Sequence, residues 1–230
     1  MLRIESLDAH YGLFQALFGI TMSVAPGETV ALIGSNGAGK TTLLRSIAGA
    51  LAVRADSLLL DGAPVGGSSE REQLARGIAL VPEGRRLFPS LTVRENLQLA
   101  ATNGRSGAWT QERVLEAFPG LRNLLERPAT ALSGGQQQLV AIARALVCNP
   151  AFLLCDEVSL GLSPLVIDEV YQLLALARRD GMAIVLVEQN VRRALVESDR
   201  YVCIQKGRVV LEGISASADH HAVAQAYFGV

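Results

Sequence analysis

The sequence has little of what a disulfide-stabilised or metal-binding protein would carry. Its cysteines are odd in number and form no C-x-x-C pair; the three are Cys148, Cys155 and Cys203. With that spacing we expect small core residues in a reducing cytosol and neither a disulfide nor a metal site.

The chain also lacks a membrane-spanning run and an export signal. No apolar stretch approaches the roughly 18–20 residues needed to cross a bilayer. The N-terminus has Arg3, Glu5 and Asp8 where an export signal would have a positive segment followed by an apolar core. We therefore expect a soluble α/β protein that stays inside the cell.

Neither sign of charge is in excess, since 21 basic residues face 22 acidic ones. That balance gives no general basic footprint, so no nucleic-acid partner is predicted. Hydrophobic residues nonetheless make up 50% of the chain, and the mean hydropathy is +0.29. A parallel sheet buried on both faces has strands that read as unbroken apolar runs, as Val30–Ile33 and Ala183–Val187 do. A docking surface for another hydrophobic protein would add to this, and we expect both.

Strand-like and helix-like segments alternate along the chain, which predicts an α/β fold with a mostly parallel sheet. The predicted strands are Leu2–Leu7, Phe18–Val24, Thr29–Ile33, Ser57–Leu60, Ile78–Val81, Phe152–Cys155, Ala183–Val187, Tyr201–Ile204 and Val209–Leu211. The last two indicate a hairpin, which gives the fold an antiparallel β part. Helices are predicted at Thr41–Ala48 and near Leu165–Arg179, and the stretch from 91 to 146 reads as helical. We expect one domain over residues 1–230, with a helical subdomain at approximately 84–147 inserted in the core.

Residues 34–41 match the phosphate-binding pattern G-x-x-x-x-G-K-[ST] in full, after an apolar strand and before a helix. Glycines let the backbone curl so that its N–H groups face phosphate oxygens, and the following helix directs its positive end at the same charge. Lys40 is expected to reach the outer phosphates, and the Thr41 hydroxyl to bind Mg²⁺. The alternative is a glycine-rich turn that binds nothing. The predicted nucleotide contacts are Gly34, Ser35, Asn36, Gly37, Ala38, Gly39, Lys40, Thr41 and Thr42.

A second part of the site is predicted where an apolar strand ends in two acids, Asp156 and Glu157. Ligands of open α/β sheets bind at the carboxyl edge, where these side chains would lie. Asp156 would hold Mg²⁺, directly or through water, and Glu157 would polarise the water that attacks the γ-phosphate. The alternative is an ordinary strand-to-helix turn in which an acid caps the helix.

The segment Leu132-Ser133-Gly134-Gly135-Gln136, downstream of a phosphate loop and upstream of the acidic strand, resembles the ATP-binding-cassette (ABC) ATPases over essentially the whole chain. The resemblance implies that ATP lies between the phosphate loop of one subunit and Ser133, Gly134, Gly135 and Gln136 of another. Ser133 also reads as a helix cap, with glycines that merely permit the turn, and both roles are expected. Tyr11 matches the aromatic residue that stacks on adenine in this family.

Three departures from the family pattern refine the resemblance. Glu83 stands where a glutamine is usual, Gln189 where a histidine is usual, and Val158 and Ser163 where proline and aspartate are usual. The patterns Val81-Pro82-Glu83-Gly84-Arg85 and Val187-Glu188-Gln189-Asn190 resemble one of the two ATPase subunits of bacterial branched-chain amino-acid importers. The segments 88–97 and 226–229 are similar to the same group. Related urea and short-amide importers share much of this pattern, and importers of other amino acids also stay open.

The resemblance implies an energy-coupling subunit that works at the cytoplasmic face of the plasma membrane, with ATP and Mg²⁺ as cofactors. Its implied partners are a second, non-identical ABC ATPase subunit, two transmembrane permease subunits and, through them, a solute-binding protein. Gln189 can donate a hydrogen bond to the γ-phosphate but cannot titrate as histidine does, and Glu83 adds a carboxylate to the nucleotide site. We therefore expect an active but asymmetric pair of sites. Leu87 and Phe88 either contact a permease helix or pack internally.

Two other classes are weighed against the importer. A non-transport ABC ATPase would commonly carry two cassettes or inserted arms, and the sequence shows neither. A P-loop kinase gives no reason for the segment 132–136. Co-purification with two permease subunits would favour the importer, whereas recovery with ribosomes or DNA would exclude it.

Overall fold

The computed structural model describes residues 1–228, which form ten strands and eight α-helices. The strands are β1 (Leu2–Tyr11), β2 (Phe14–Val24), β3 (Thr29–Ile33), β4 (Leu58–Leu60), β5 (Ala63–Pro64), β6 (Ile78–Val81), β7 (Phe152–Asp156), β8 (Ala183–Val187), β9 (Arg200–Gln205) and β10 (Arg208–Ile214). The helices are α1 (Lys40–Ile47), α2 (Glu70–Ala75), α3 (Val93–Asn103), α4 (Gln111–Ala117), α5 (Gly134–Leu146), α6 (Pro164–Arg179), α7 (Val191–Val196) and α8 (His220–Phe228).

The larger sheet has six strands in the order β10-β9-β3-β8-β7-β6 and is parallel except for the edge strand β10. Its central strands are buried on both faces, as their unbroken apolar runs predict. Leu153 and Cys155 of β7 join one apolar cluster, while Phe152 and Leu154 of the same strand join a second on the other face. The predicted α/β class with a mostly parallel sheet is confirmed.

A smaller antiparallel sheet, in the order β2-β1-β4-β5, covers one face of the core together with α1. The predicted bounds of its first two strands were too short, because β1 continues to Tyr11 and β2 begins at Phe14. The pairing of these strands shifts register three times, and Ser6 has a positive φ of 46°. Such irregularities break the strict alternation by which a strand is recognised in a sequence.

Three helices, α3, α4 and α5, lie between β6 and β7 and share one apolar cluster with the other face of the large sheet. Trp109 is 4% exposed and packs within this cluster. The bounds 84–147 of a helical subdomain stay a prediction.

The short helices α2, α7 and α8 were not predicted. The capping box at the start of α2, in which Ser69 and Glu72 exchange hydrogen bonds, was a readable signal for the first of them. All three cysteines are buried, as expected of small core residues. Over residues 1–228, no helix has the length and apolar character to cross a bilayer. Gly229, the last residue of the segment 226–229 used above, lies outside the described residues.

Candidate active site

The phosphate loop joins the carboxyl end of β3 to the start of α1, and two of its glycines are required by close approach. A Cβ atom at Gly34 would lie 2.2 Å from the Ile204 carbonyl oxygen. Gly39 has a φ of 113°, and a Cβ there would lie 2.6 Å from a methyl carbon of Leu17. The loop is therefore wedged against β9 and β2, which fixes its curl.

Lys40 is the only loop side chain that crosses back over its own backbone within the described residues. Its Nζ donates to the Gly34 carbonyl oxygen at 2.6 Å and to the Ser35 carbonyl oxygen at 3.0 Å. Burial lowers the pKa of Lys40, and the carboxylates of Glu157 and Asp156 oppose that shift. The ammonium group thus stands between the curled loop and the acids at the end of β7.

Asp156 and Thr41 bring two oxygen atoms together, with Thr41 Oγ1 donating to Asp156 Oδ1 at 3.2 Å. Asp156 is only 3% exposed. Its burial raises the pKa of the carboxyl group to about 6, against the hydrogen bond from Thr41, and the neighbouring carboxylates of Glu157 and Glu83 add to the rise. A hydroxyl and a carboxylate side by side are the hard oxygen donors that Mg²⁺ prefers, so this pair fits that ion.

Glu157 follows directly and lies against Gln189, which comes just after β8. Gln189 Nε2 donates to Glu157 Oε2 at 2.7 Å. The Glu157 N–H donates to the Val187 carbonyl oxygen at 3.1 Å, and the residue has a positive φ of 52°. A residue with a Cβ is uncommon in that backbone region, and such residues occur often at active sites.

These groups surround one cleft of about 660 Å³. Many of the lining residues follow the carboxyl ends of the neighbouring strands β3, β8, β7 and β6. Parallel strands that are neighbours in a sheet end at the same edge, so these residues come together. The predicted residues that line it are Tyr11, Asn36, Gly37, Gly39, Lys40, Thr41, Thr42, Glu83, Glu157 and Gln189.

Four other predicted contacts lie behind this surface. Gly34 and Ala38 are buried in the turn of the loop, and Ser35 turns its carbonyl oxygen to Lys40. Asp156 is buried behind Thr41.

Sequence reasoning missed six lining residues, which are Phe14, Gln15, Ala16, Phe18, Lys206 and Gly207. They belong to the β1–β2 hairpin and to the turn between β9 and β10. Phe14 is 70% exposed near Tyr11, whose own ring is 40% exposed and has the Arg45 guanidinium 5.8 Å from its centroid. A hairpin tip with two aromatic residues was the available signal.

Ser133, Gly134, Gly135 and Gln136 do not line the cleft. They form the start of α5, where the Ser133 hydroxyl accepts a hydrogen bond from the Gln136 N–H and Gln136 Oε1 accepts one from the Ser133 N–H. The helix-cap interpretation of Ser133 is confirmed. Ser133 is exposed, and none of residues 1–228 covers it.

The loop after β6 is tied to α5 by arginines. Arg144 donates to the carbonyl oxygens of Arg86 at 2.6 Å and of Arg85 at 3.1 Å. Arg85 Nη1 donates to Gln137 Oε1 at 3.1 Å, one residue after Gln136. Beyond this point of the loop, Leu87 packs partly against the core, whereas Phe88 is 47% exposed. A permease contact of Phe88 stays a prediction.

A curled glycine loop with a buried lysine, a threonine–aspartate pair and a glutamate at one sheet edge defines the class of P-loop nucleotide hydrolases. Residues 17–159 match the family model described as ABC transporter. The chain belongs to the ABC transporter family, and it is an ATPase of that family.

Three curated relatives are similar over nearly the whole chain. The chain is 39% identical to the high-affinity branched-chain amino acid transport ATP-binding protein BraG of Pseudomonas aeruginosa, with 100% of both chains covered. It is 36% identical to the probable branched-chain amino acid transport ATP-binding protein LivF of Archaeoglobus fulgidus, over 96% of this chain and 95% of the relative. It is also 36% identical to the glutamine transport ATP-binding protein GlnQ of Escherichia coli, over 93% and 91%.

Two solved structures give the same fold. One is the ADP conformation of MJ1267, an ATP-binding cassette of an ABC transporter, with a TM-score of 0.83 and 25% identity over 100% of this chain and 99% of that one. The other is the dimeric post-hydrolysis state of the cassette MJ0796 bound to ADP and Pi, with a TM-score of 0.80 and 26% identity over 94% and 99%.

Proposed function

We propose that this chain is the ATP-hydrolysing subunit of a membrane importer, and that branched-chain amino acids are the transported solutes. One observation carries the proposal: the cleft brings Lys40, Thr41, Glu157 and Gln189 together in a chain that is similar to BraG from end to end. The residues of the cleft support the proposed ATP hydrolysis, and the similarity to BraG supports the proposed solute.

In the proposed mechanism, N–H groups of the phosphate loop and the start of α1 hold the phosphates, and Lys40 neutralises charge on the outer ones. Thr41 and Asp156 would hold Mg²⁺, which supplies charge neutralisation between the phosphates when bound. Tyr11 lines the same cleft and is the residue proposed to stack on adenine.

Glu157 is the proposed general base, since its carboxylate can polarise and accept a proton from the attacking water. Gln189 donates to that carboxylate, and the second N–H of the same amide can donate to the γ-phosphate. Glu83 also lines the cleft and adds a carboxylate near Asp156, one of the proposed Mg²⁺ ligands. The charge of Glu83 distinguishes this site from one that carries the usual glutamine.

Ser133 to Gln136 are proposed to contact ATP held by a second ABC ATPase subunit. Support comes from their position outside this chain's own cleft, from the exposed hydroxyl of Ser133 and from the positive end of α5 behind it. We propose that the partner is non-identical, because Glu83 and Gln189 leave this chain's own site without two of the family's usual residues.

A groove of about 590 Å³ between the core and the inserted helices is the proposed permease contact. Phe88 and Leu99 are exposed there at 47% and 41%, among Leu74, Arg86 and Arg144. Apolar side chains flanked by arginines suit a short amphipathic helix. The groove therefore supports a place at the cytoplasmic face of the plasma membrane, against two permease subunits that receive solute from a binding protein.

The identity of the transported solute is the most specific part of the proposal. Two of the relatives named above are branched-chain amino acid transport proteins, while GlnQ at 36% identity is a glutamine transport protein. The patterns around Glu83 and Gln189 favour the branched-chain group, with urea and short amides as the alternative. Substrate contacts lie on other subunits in this class of transporter, so the cleft itself does not discriminate.

The test is ATP turnover of the reconstituted complex with its binding protein, compared between leucine, isoleucine, valine, glutamine and urea. Stimulation by the branched-chain amino acids is expected. Stimulation by urea or glutamine with a flat response to leucine would overturn the solute. Recovery of the chain without permease subunits would overturn the importer assignment.

A further inference from the structure

Glu188 is a buried carboxylate that has no part in the proposed mechanism of ATP hydrolysis. It lies at the end of β8, between Val187 and Gln189, and is 2% exposed. Its Oε1 accepts a hydrogen bond from the Tyr171 hydroxyl at 2.6 Å, and its Oε2 accepts one from the Ser159 hydroxyl at 2.6 Å. Both oxygen atoms are therefore satisfied by neutral donors.

A buried carboxylate without a cationic partner is costly, because desolvation is offset here by hydrogen bonds alone. Glu188 takes part in none of the ion pairs found within residues 1–228. An apolar side chain would fill this position at less cost. The geometry must therefore provide something that packing alone does not.

The two donors belong to different elements, and one of them follows a reacting group directly along the chain. Ser159 comes two residues after Glu157, in the loop between β7 and α6, and Tyr171 is in the middle of α6. Glu188 itself is covalently joined to Gln189. The carboxylate thus bridges the segment that carries Glu157 and the segment that carries Gln189, whose side chains meet at 2.7 Å.

The backbone at Glu157 needs such support. Its φ of 52° is disfavoured for a residue with a Cβ, so neighbouring contacts must hold it. On one side the Glu157 N–H donates to Val187 at 3.1 Å. On the other side the Ser159 hydroxyl donates to Glu188. The strained residue is therefore fixed at both ends by β8 and the residue that follows it.

We propose that Glu188 is a positioning residue for ATP hydrolysis, which bridges Ser159 and Tyr171 and so holds Glu157 and Gln189 in their mutual geometry. The inference rests on the proposed role of Glu157 as general base. Glu188 touches neither the phosphates nor the attacking water; it sets where the acceptor of the proton stands. A displacement of the order of 1 Å at such a group costs about 10²-fold in rate.

The test is steady-state hydrolysis by the full complex in which the partner ATPase subunit's own site has been inactivated, so that turnover reports this chain's site. For Glu188→Ala we expect kcat to fall about 10- to 100-fold, while KM for ATP changes by less than about threefold. Glu188→Gln keeps the shape and one acceptor, so a smaller loss is expected. Tyr171→Phe and Ser159→Ala each remove one donor and should lower kcat in the same way.

Matched controls separate positioning from folding. Ser159→Thr keeps the hydroxyl and should retain kcat where Ser159→Ala loses it. Tyr201→Phe changes another buried tyrosine on β9, and Ser57→Ala changes another buried serine, which bonds to the Arg54 carbonyl. Both controls should leave kcat unchanged. Should Glu188→Ala fail to fold, the Ser159 and Tyr171 variants carry the test.

The outcomes distinguish the two levels of the proposal when Glu157→Gln is measured in the same background. If Glu157→Gln lowers kcat and the Glu188, Ser159 and Tyr171 variants do not, the positioning role is wrong and the general base stands. If those variants lower kcat but also lower thermal stability and raise KM for ATP, Glu188 is merely structural. If Glu157→Gln itself leaves kcat unchanged, the general base fails and Glu188 has nothing to position.

Discussion

The chain has two helix N-termini with proposed ATP contacts, those of α1 and α5, and the two differ in how the helix is capped. At α1 the cap residue is Gly39, which makes no side-chain hydrogen bond to the helix in the described chain. At α5 the cap residue is Ser133, and it exchanges two hydrogen bonds with Gln136. The first N-terminus lines a cleft, whereas the second lies outside that cleft with its capping box complete.

The difference indicates which chain completes each proposed ATP site. The α1 end is enclosed by residues of this chain from four strands, so its anion site is assembled on folding. The α5 end is stable by itself and needs no anion, so any nucleotide contact there is an addition from a second subunit. On this account the same local physics of a helix terminus gives a binding site in one place and the proposed contact with a second subunit in the other.

The largest expected effect falls on the enclosed site. Glu157→Gln should lower ATP turnover by about 10²–10⁴-fold, because the amide cannot accept the proton of the attacking water. Glu169→Gln on α6 is the control, since it neutralises a carboxylate that does not line the cleft. Turnover in the complex with an inactivated partner site measures the effect, and an unchanged rate for Glu157→Gln would contradict it.

Gly34→Ala should disrupt the enclosed site through its shape. The added methyl group would meet the Ile204 carbonyl oxygen at 2.2 Å, so the loop or β9 must shift, and overpacking of this kind costs about 1–3 kcal/mol. We expect a lower free energy of unfolding and weaker ATP binding, measured by denaturant titration and equilibrium binding. Gly120→Ala is the control, because a Cβ there meets no heavy atom within 4 Å. Equal effects of the two substitutions would refute the close approach at Gly34.

Ser133→Ala tests the surface end and should be milder for this chain alone. The loss of a cap costs about 0.5–2 kcal/mol of stability and should leave ATP binding to this chain's own cleft intact. Ser69→Ala removes a serine from an equivalent capping box at α2. Both variants should lose similar stability, but only Ser133→Ala should lower turnover of the complex. Equal turnover in the two variants would mean that Ser133 is a cap and nothing more.

Phe88→Ala should have the smallest effect on the chain by itself. The ring is 47% exposed, so its removal should change the free energy of unfolding by less than about 0.5 kcal/mol. Assembly with the permease subunits, measured by co-purification, should weaken. Val196→Ala, at a residue 75% exposed on α7, is the control and should assemble normally. Normal assembly of the Phe88 variant would move the permease contact elsewhere.

Prediction from sequence succeeded where one local pattern determined the structure. The strands Ile78–Val81 and Ala183–Val187 have the predicted bounds. A short unbroken apolar run between turn residues is typical of a strand that a parallel sheet buries on both faces. The loop between β3 and α1 was also predictable from a local pattern, the phosphate-binding motif of residues 34–41. What the sequence did not indicate depends on contacts between distant segments. Lys206 lines the cleft because the β9–β10 turn lies against Gly39. The two residues are 167 positions apart in the chain, and no sequence pattern indicates that they are close in the fold.

The segment at Ser133 shows the limit most clearly. Its sequence predicts both a cap and a contact to a second subunit, and the structure confirms the cap because the cap is internal. The position of Glu188 illustrates the converse, since its two hydroxyl donors come from residues 29 and 17 positions away and become visible only in the fold.

The central claim is that the enclosed end and the surface end serve different ATP molecules. It is tested most directly by single-turnover hydrolysis in the two-subunit complex, with a photoreactive ATP analogue that labels each ATPase subunit separately. Ser133→Ala should reduce product on the partner subunit and leave product on this chain intact, while Glu157→Gln should do the reverse. A loss of product on this chain alone for both substitutions would contradict the account.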